Sequence, residues 1–226
     1  MAASTQELFA TLRSTLDDHH DRRERLVKLS RDITVASQAD TSCLDATQSA
    51  YADILAMLHR VSDELEGSGY YRYERSVAPA LEEFVEAAVY RHYLVENRLV
   101  TLEELCGELQ RAGCERLPLT ETTYLLGVAD FTGELMRRAI NAVASGERST
   151  ALQICSFLRP LVQSFEALTL TEAGGRQLGR KMGTMHASMA KVEQACCSVS
   201  IRQSEFPNAR GTSIVGALTT APSEDG

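Results

Sequence analysis

Thr123-Tyr-Leu-Leu-Gly-Val-Ala-Asp-Phe-Thr-Gly-Glu-Leu-Met-Arg-Arg-Ala-Ile-Asn141 is the stretch that decides the fold. Its apolar residues (Leu125, Leu126, Val128, Ala129, Phe131, Leu135 and Met136) follow no period-two alternation, and Thr120 and Gly146 bracket it as helix start and stop signals. A helix from about Thr120 to Ser145 is therefore predicted. On it Asp130 and Glu134 stand four residues apart and share a face, with Cβ atoms roughly 5–6 Å apart. Two glycines, Gly127 and Gly133, interrupt the same helix. Each is less favourable there than alanine by about 1 kcal/mol, so both are expected to mark a close approach of another backbone or of a ligand.

A second acidic turn, Glu82-Glu83-Phe84-Val85-Glu86, sits among Val85, Ala87, Ala88 and Val89. Glu83 and Glu86 share a face at a separation of three, and Glu82 also neighbours Glu86 at four. Carboxylates buried among apolar neighbours are unfavourable unless a cation meets them. Glu83, Glu86, Asp130 and Glu134 thus read either as a metal-binding set or as solvated faces and ion-pair networks. Their mid-helix position, away from N-termini where acids serve the helix dipole, favours the metal. Oxygen ligands with no histidine in register suit Mg²⁺, or Mn²⁺, better than zinc. A di-iron site of the ferritin kind needs Glu-x-x-His. None of the histidines at 19, 20, 59, 92 and 186 has a glutamate three residues before it.

Working outward, helical periodicity is nearly continuous. A first helix is expected over Thr5–Ser37 with Leu8, Leu12, Leu16, Leu26 and Ile33 facing inward. A second is capped by Thr41 and ends near Gly67 and Gly69. A third spans about Tyr71–Asn97, kinked or properly begun at Pro79. Thr101-Leu-Glu-Glu104 forms a capping box for a short fourth helix, and 113–118 make a loop. A sixth helix covers about Thr150–Leu168, bent at Pro160. The seventh, about Arg176–Arg202, carries Leu178, Met182, Met185, Met189, Val192, Cys196 and Val199 in unbroken four-three spacing. That is a heptad seam. An exposed seam implies poor solubility without a partner, and helices of this length imply an oligomer. Residues 204–226 are small and polar, and read as a disordered tail. The architecture is all-α: one bundle of about seven helices over residues 1–203.

The chain has 226 residues and a net charge of −8. That charge argues against a broad nucleic-acid groove formed by this chain alone, while leaving room for a basic patch or a groove completed by a basic partner. The dense basic segment is His19-His20-Asp21-Arg22-Arg23-Glu24-Arg25, continuing to Lys28 and Arg31. Its interleaved acids suit a salt-bridged helix as well as phosphate binding. Tyr70-Tyr71-Arg72-Tyr73 combines aromatics with a cation, the mix used to stack single-stranded RNA, and equally suits a packing cluster at a helix start. Arg137 and Arg138 follow Glu134 by one turn, placed to hold a phosphate or to neutralise the acids. Six cysteines at 43, 106, 114, 155, 196 and 197 show no ligand spacing and read as reduced thiols of a cytosolic or nuclear protein. Met1–Leu12 lacks the apolar core of a signal peptide, and no apolar run approaches the roughly 20 residues that cross a bilayer.

Four stretches carry a resemblance: HDRRERLVKLSRDITV (20–35), EEFVEA (82–87), TYLLGVADFTGELMRRAIN (123–141) and MAKVEQAC (189–196). In this order they resemble the translin superfamily, and within it the translin-associated factor branch rather than translin itself. The resemblance implies an α-helical subunit that joins translin in a hollow hetero-octamer. That assembly acts as an Mg²⁺-dependent endoribonuclease on single-stranded RNA, linked to passenger-strand removal in RNA silencing and to RNA processing, and it also binds single-stranded DNA. It further implies a cytoplasmic and nuclear location, and catalytic acids at Glu83, Glu86, Asp130 and Glu134. Of these, Glu86 and Glu134 are expected to ligate the metal. Arg22, Arg23, Arg25, Tyr71, Arg72, Arg137 and Arg138 are the expected nucleic-acid contacts. One departure is that Tyr70–Tyr73 looks more like translin's own segment, which implies RNA contact shared between subunits. A non-catalytic subunit that stabilises translin and holds nucleic acid is the competing expectation.

Overall fold

A computed structural model describes residues 4–37, 44–65, 69–168 and 172–205. Among the described residues there are seven helices and no strand: α1 (Thr5–Ser37), α2 (Leu44–Glu64), α3 (Gly69–Glu96), α4 (Leu102–Arg111), α5 (Glu121–Ala144), α6 (Arg148–Glu166) and α7 (Glu172–Glu205). The all-α expectation is met. The cap expected at Thr41 and residues 206–226 lie outside the described residues. The helices gather into two compact units, Met1–Val128 and Ala129–Gly226, with the change falling inside α5. No helix among the described residues is long and apolar enough to cross a membrane.

In the first unit α1, α2 and α3 pack against one another. Buried residues recur every three or four positions: Tyr51, Ile54, Leu58 and Val61 on α2, and Tyr73, Val77, Leu81, Phe84 and Val85 on α3. Phe84 is fully buried and stacks on Tyr51 with ring centroids 5.9 Å apart. Burying a side chain of this size contributes about 1.5–3 kcal/mol. α3 begins at Gly69 and runs across Pro79 rather than starting there. Pro79 is exposed, so the carbonyl that loses its helical donor stays open to water. The capping box is present: the Glu104 amide donates to Thr101 Oγ1 at 3.2 Å, and the Thr101 amide donates to Glu104 Oε2 at 2.8 Å.

α1 corrects one expectation. Leu26 and Ile33 are buried, but Leu8, Leu12 and Leu16 are 53%, 49% and 67% exposed. At 1.5 Å per residue the 33 residues of α1 reach about 50 Å, well beyond the 21 residues of α2. Residues 4–18 are all exposed, so the three leucines stand on a stretch of α1 that is left uncovered.

In the second unit α6 and α7 lie against each other. Leu178, Met185, Met189, Val192 and Cys196 are buried, as are Ile154, Cys155, Leu158 and Val162 of α6. These five seam residues are therefore part of the chain's own core, with Met182 half-buried, which corrects the expectation of an exposed seam. Arg159 donates to Glu193 at the seam's exposed edge (2.7 Å), and inside it Cys196 Sγ donates to the Ala151 carbonyl (3.5 Å). α7 continues to Glu205, past the expected end. Gly146 ends α5 with φ of +81°, a left-handed conformation in which glycine is unstrained.

Candidate functional site

The acidic turn of α3 lies at the edge of the first unit's core. Leu81, Phe84, Val85, Ala88 and Val89 are buried, whereas Glu82, Glu83 and Glu86 are half-buried. The apolar neighbours that argued for buried acids point into the core, and the carboxylates point away from it. Glu83 accepts a hydrogen bond from the Ser37 hydroxyl at the end of α1.

Gly127 brings α5 onto this turn. A Cβ at Gly127 would sit 2.6 Å from Val85 Cβ and 2.7 Å from the Glu82 carbonyl oxygen. Only glycine fits there, as expected from its place in an apolar helix. Gly133 differs: a Cβ there meets nothing within 4 Å, so of the two approaches expected at that position, that of another backbone is not made.

Asp130 and Glu134 are half-buried on α5 in the second unit, beside the buried Phe131 and Leu135. Lys181 Nζ donates to Asp130 Oδ2 at 2.5 Å. Arg137 pairs with Glu134 one turn along. Arg137 is exposed and Arg138 half-buried, so of the two roles open to Arg137, neutralising the acid is realised. Lys181 was not among the sequence-derived site residues. The available signal was its place on the flank of the α7 seam, between Leu178 and Met182.

Among the described residues no three His, Cys, Asp or Glu side chains gather closely enough to hold an ion. Each acidic turn offers a carboxylate pair. Mg²⁺ is commonly held by one or two carboxylates, with waters and substrate phosphates completing its shell. The all-oxygen donors here fit that mode, not a closed protein cage.

The expected nucleic-acid residues Arg22, Arg23, Arg25, Tyr71 and Arg72 all fall in the first unit. Tyr73 Oη and His19 Nδ1 are 2.6 Å apart, which sets the basic stretch of α1 beside the aromatic start of α3. Tyr70 and Tyr73 are buried, while Tyr71 is 75% exposed and Arg72 is exposed. The stretch therefore divides into two packing tyrosines and an outward Tyr71–Arg72 pair. Arg25 is committed to Glu64 through two hydrogen bonds of 3.0 and 2.9 Å, which hold the Glu64 carboxyl below its usual range. Arg23 is exposed and Arg22 half-buried.

One polar cluster escaped the sequence reading. His92 is buried, with Nε2 2.9 Å from Glu108 and Nδ1 3.3 Å from Glu96. Tyr51 donates to the same Glu108 beneath the Arg91 guanidinium. Burial, and then the Glu108 carboxylate, push the Tyr51 hydroxyl far above its usual range. The cluster joins α2, α3 and α4, and within it the buried Nδ1 of His92 lies near Glu96 without making a hydrogen bond.

An all-α protein with paired acids on two helices is the class this geometry defines. The translin family model matches residues 21–203, and the chain belongs to that family. It is similar to Translin-associated protein X of Mus musculus, 35% identical over 88% of this chain and 79% of the relative. Two solved structures share the fold. The crystal structure of apo-NeC3PO has a TM-score of 0.61 at 20% identity, covering 87% of this chain and 97% of that one. The structure of an AfC3PO–duplex RNA complex has a TM-score of 0.54 at 18% identity, covering 84% and 97%.

Proposed function

We propose that this chain is the cleaving subunit of an Mg²⁺-dependent endoribonuclease that acts on single-stranded RNA in a hollow hetero-octamer with translin. The observation that carries the reading is the pair of acidic turns, Glu83/Glu86 on α3 and Asp130/Glu134 on α5, in a chain of the translin family that is similar to Translin-associated protein X. An RNA complex of a protein with this fold, and the exposed Tyr71–Arg72 pair, support RNA as the ligand. The family reading extends to RNA silencing and RNA processing, in cytoplasm and nucleus, with single-stranded DNA as a further ligand.

In this mechanism Glu86 and Glu134 would hold Mg²⁺, or Mn²⁺ in its place. The bound ion supplies Lewis acidity and a water of lowered pKa for in-line attack at phosphorus. Glu83 and Asp130 would add oxygen donors or orient the attacking water, and one of the two would accept its proton as general base. Arg137 and Arg138 offset charge on the phosphoryl oxygens as the leaving group departs. Replacing Glu134 by Gln keeps the side chain's shape and removes its charge. Metal-dependent cleavage should be lost while RNA binding remains near native; cleavage that survived would refute the assignment.

A second reading has its own support. Asp130 and Glu134 each have a cationic partner within the chain, which is also what a structural ion-pair network looks like. On that reading the chain stabilises translin and holds nucleic acid without cutting it, and Glu134→Gln would alter stability alone.

A further inference from the structure

Lys181 has no part in the mechanism above, yet it pairs with an α5 acid and is far less exposed than Arg137. Lysine is among the side chains least often buried, and this one is only 22% exposed, with Nζ 2.5 Å from Asp130. Its place between Leu178 and Met182 carries the stem inward as Leu178 and Met185 bury. Glu134, one turn beyond, is matched differently, by an Arg137 side chain that is 70% exposed. Exposed pairs dissolve readily under salt, and partly buried ones much less. Asp130 therefore has the more persistent partner.

A lysine is a compact point charge on a four-carbon stem, and it binds phosphate in that manner. An ammonium beside a carboxylate that receives a divalent ion has both a competitor and a new anion to meet. Resting on the reading above, we propose that Lys181 is the resident counter-ion of Asp130 in the metal-free chain and the positioning cation for the RNA phosphate in the loaded one. The two roles give effects of opposite sign. Removing the ammonium frees Asp130 and tightens divalent binding, while the phosphate loses its anchor and turnover slows. A purely structural ion pair gives no such opposition, because its loss weakens stability, metal binding and turnover together.

The test uses the full chain co-expressed with translin, with Mn²⁺ as probe and the electron paramagnetic resonance signal of free Mn²⁺ as readout. Lys181→Met should tighten Mn²⁺ binding by about fivefold, the upper range for a partly exposed pair. The same variant should lower kcat on labelled single-stranded RNA by about tenfold or more, in the range for removing one charge-stabilising donor. Lys181→Arg should restore both values toward native. In an Asp130→Asn background Lys181→Met should no longer tighten Mn²⁺, and that double variant removes both charges of the pair. Unchanged or weaker Mn²⁺ binding in Lys181→Met, or undiminished turnover, overturns the proposal. If that result comes with native Mn²⁺ uptake and cleavage sensitive to Glu134→Gln, the function stands and only the role of Lys181 fails. A native complex that takes up no Mn²⁺ overturns both.

Discussion

Gly127→Ala against Gly133→Ala is the sharpest test of how α5 is seated. Helix propensity alone favours alanine at both positions by about 1 kcal/mol. At Gly133 nothing lies within 4 Å of the added Cβ, so the gain should be kept, at about 0.5–1 kcal/mol. At Gly127 the new methyl meets Val85 Cβ at 2.6 Å and the Glu82 carbonyl oxygen at 2.7 Å. Carbon–carbon contacts relax to about 3.5–4.0 Å, so the helices must part by about 1 Å, and one obstacle is backbone that no rotamer change relieves. Overpacking of this kind costs about 1–3 kcal/mol. After the propensity gain, Gly127→Ala should be destabilised by up to about 2 kcal/mol. In a chain of this size 1 kcal/mol moves Tm by about 2–4 °C, so the two variants should melt on opposite sides of the native protein. Differential scanning calorimetry measures this directly. A Gly127→Ala protein stabilised as much as Gly133→Ala would refute the close approach of α5 to the acidic turn of α3.

Other outcomes follow from the same structure. Leu12→Ser should change the stability of the isolated chain by no more than about 0.5 kcal/mol, while Leu26→Ala should cost about 2–5 kcal/mol; chemical denaturation separates them. Met185→Ala should cost a similar 2–5 kcal/mol in the chain alone, because α6 already covers the seam; near-neutrality would mean that the seam is not core. Arg98, and then the Thr101 amide, hold the Glu104 carboxyl down to about 2. A depressed folded-state pKa contributes stability above the unfolded value of about 4.3 and loses it as pH falls towards 2. Carboxyl titration by NMR in Arg98→Ala should show Glu104 moving back up toward the ordinary range.

Much of the fold was legible because local signals and packing agreed. The capping box at Thr101 and Glu104, the stop at Gly146 and the span of α1 rest on short-range chemistry, and the structure keeps them. The misreadings came where a pattern was right and its partner unknown. Leu8, Leu12 and Leu16 have the spacing of a buried face, but spacing does not say how far the neighbouring helices extend. The α7 seam is apolar enough for a foreign helix, and the chain supplies α6 instead. Gly127 and Gly133 look alike in sequence, yet one touches backbone and the other faces open space.

The candidate acids were visible from helical arithmetic, because i, i+3 and i, i+4 spacing is a local property. Their half-exposure was not, since the apolar residues beside them turn inward. Lys181 stayed hidden because its partner is far away in sequence. The link between Asp130 and Lys181 exists only once α5 and α7 have met. The His92 cluster was missed for the same reason, as Tyr51, His92 and Glu108 come from three helices.

The most direct test of the central claim is cleavage of labelled single-stranded RNA by the chain reconstituted with translin. It compares Mg²⁺ with EDTA, and the native chain with Glu86→Ala/Glu134→Ala. The account expects cleavage with Mg²⁺, none with EDTA and none in the double variant, whose RNA binding persists. Tight RNA binding without cleavage in any condition would contradict it and leave the four acids as a structural network.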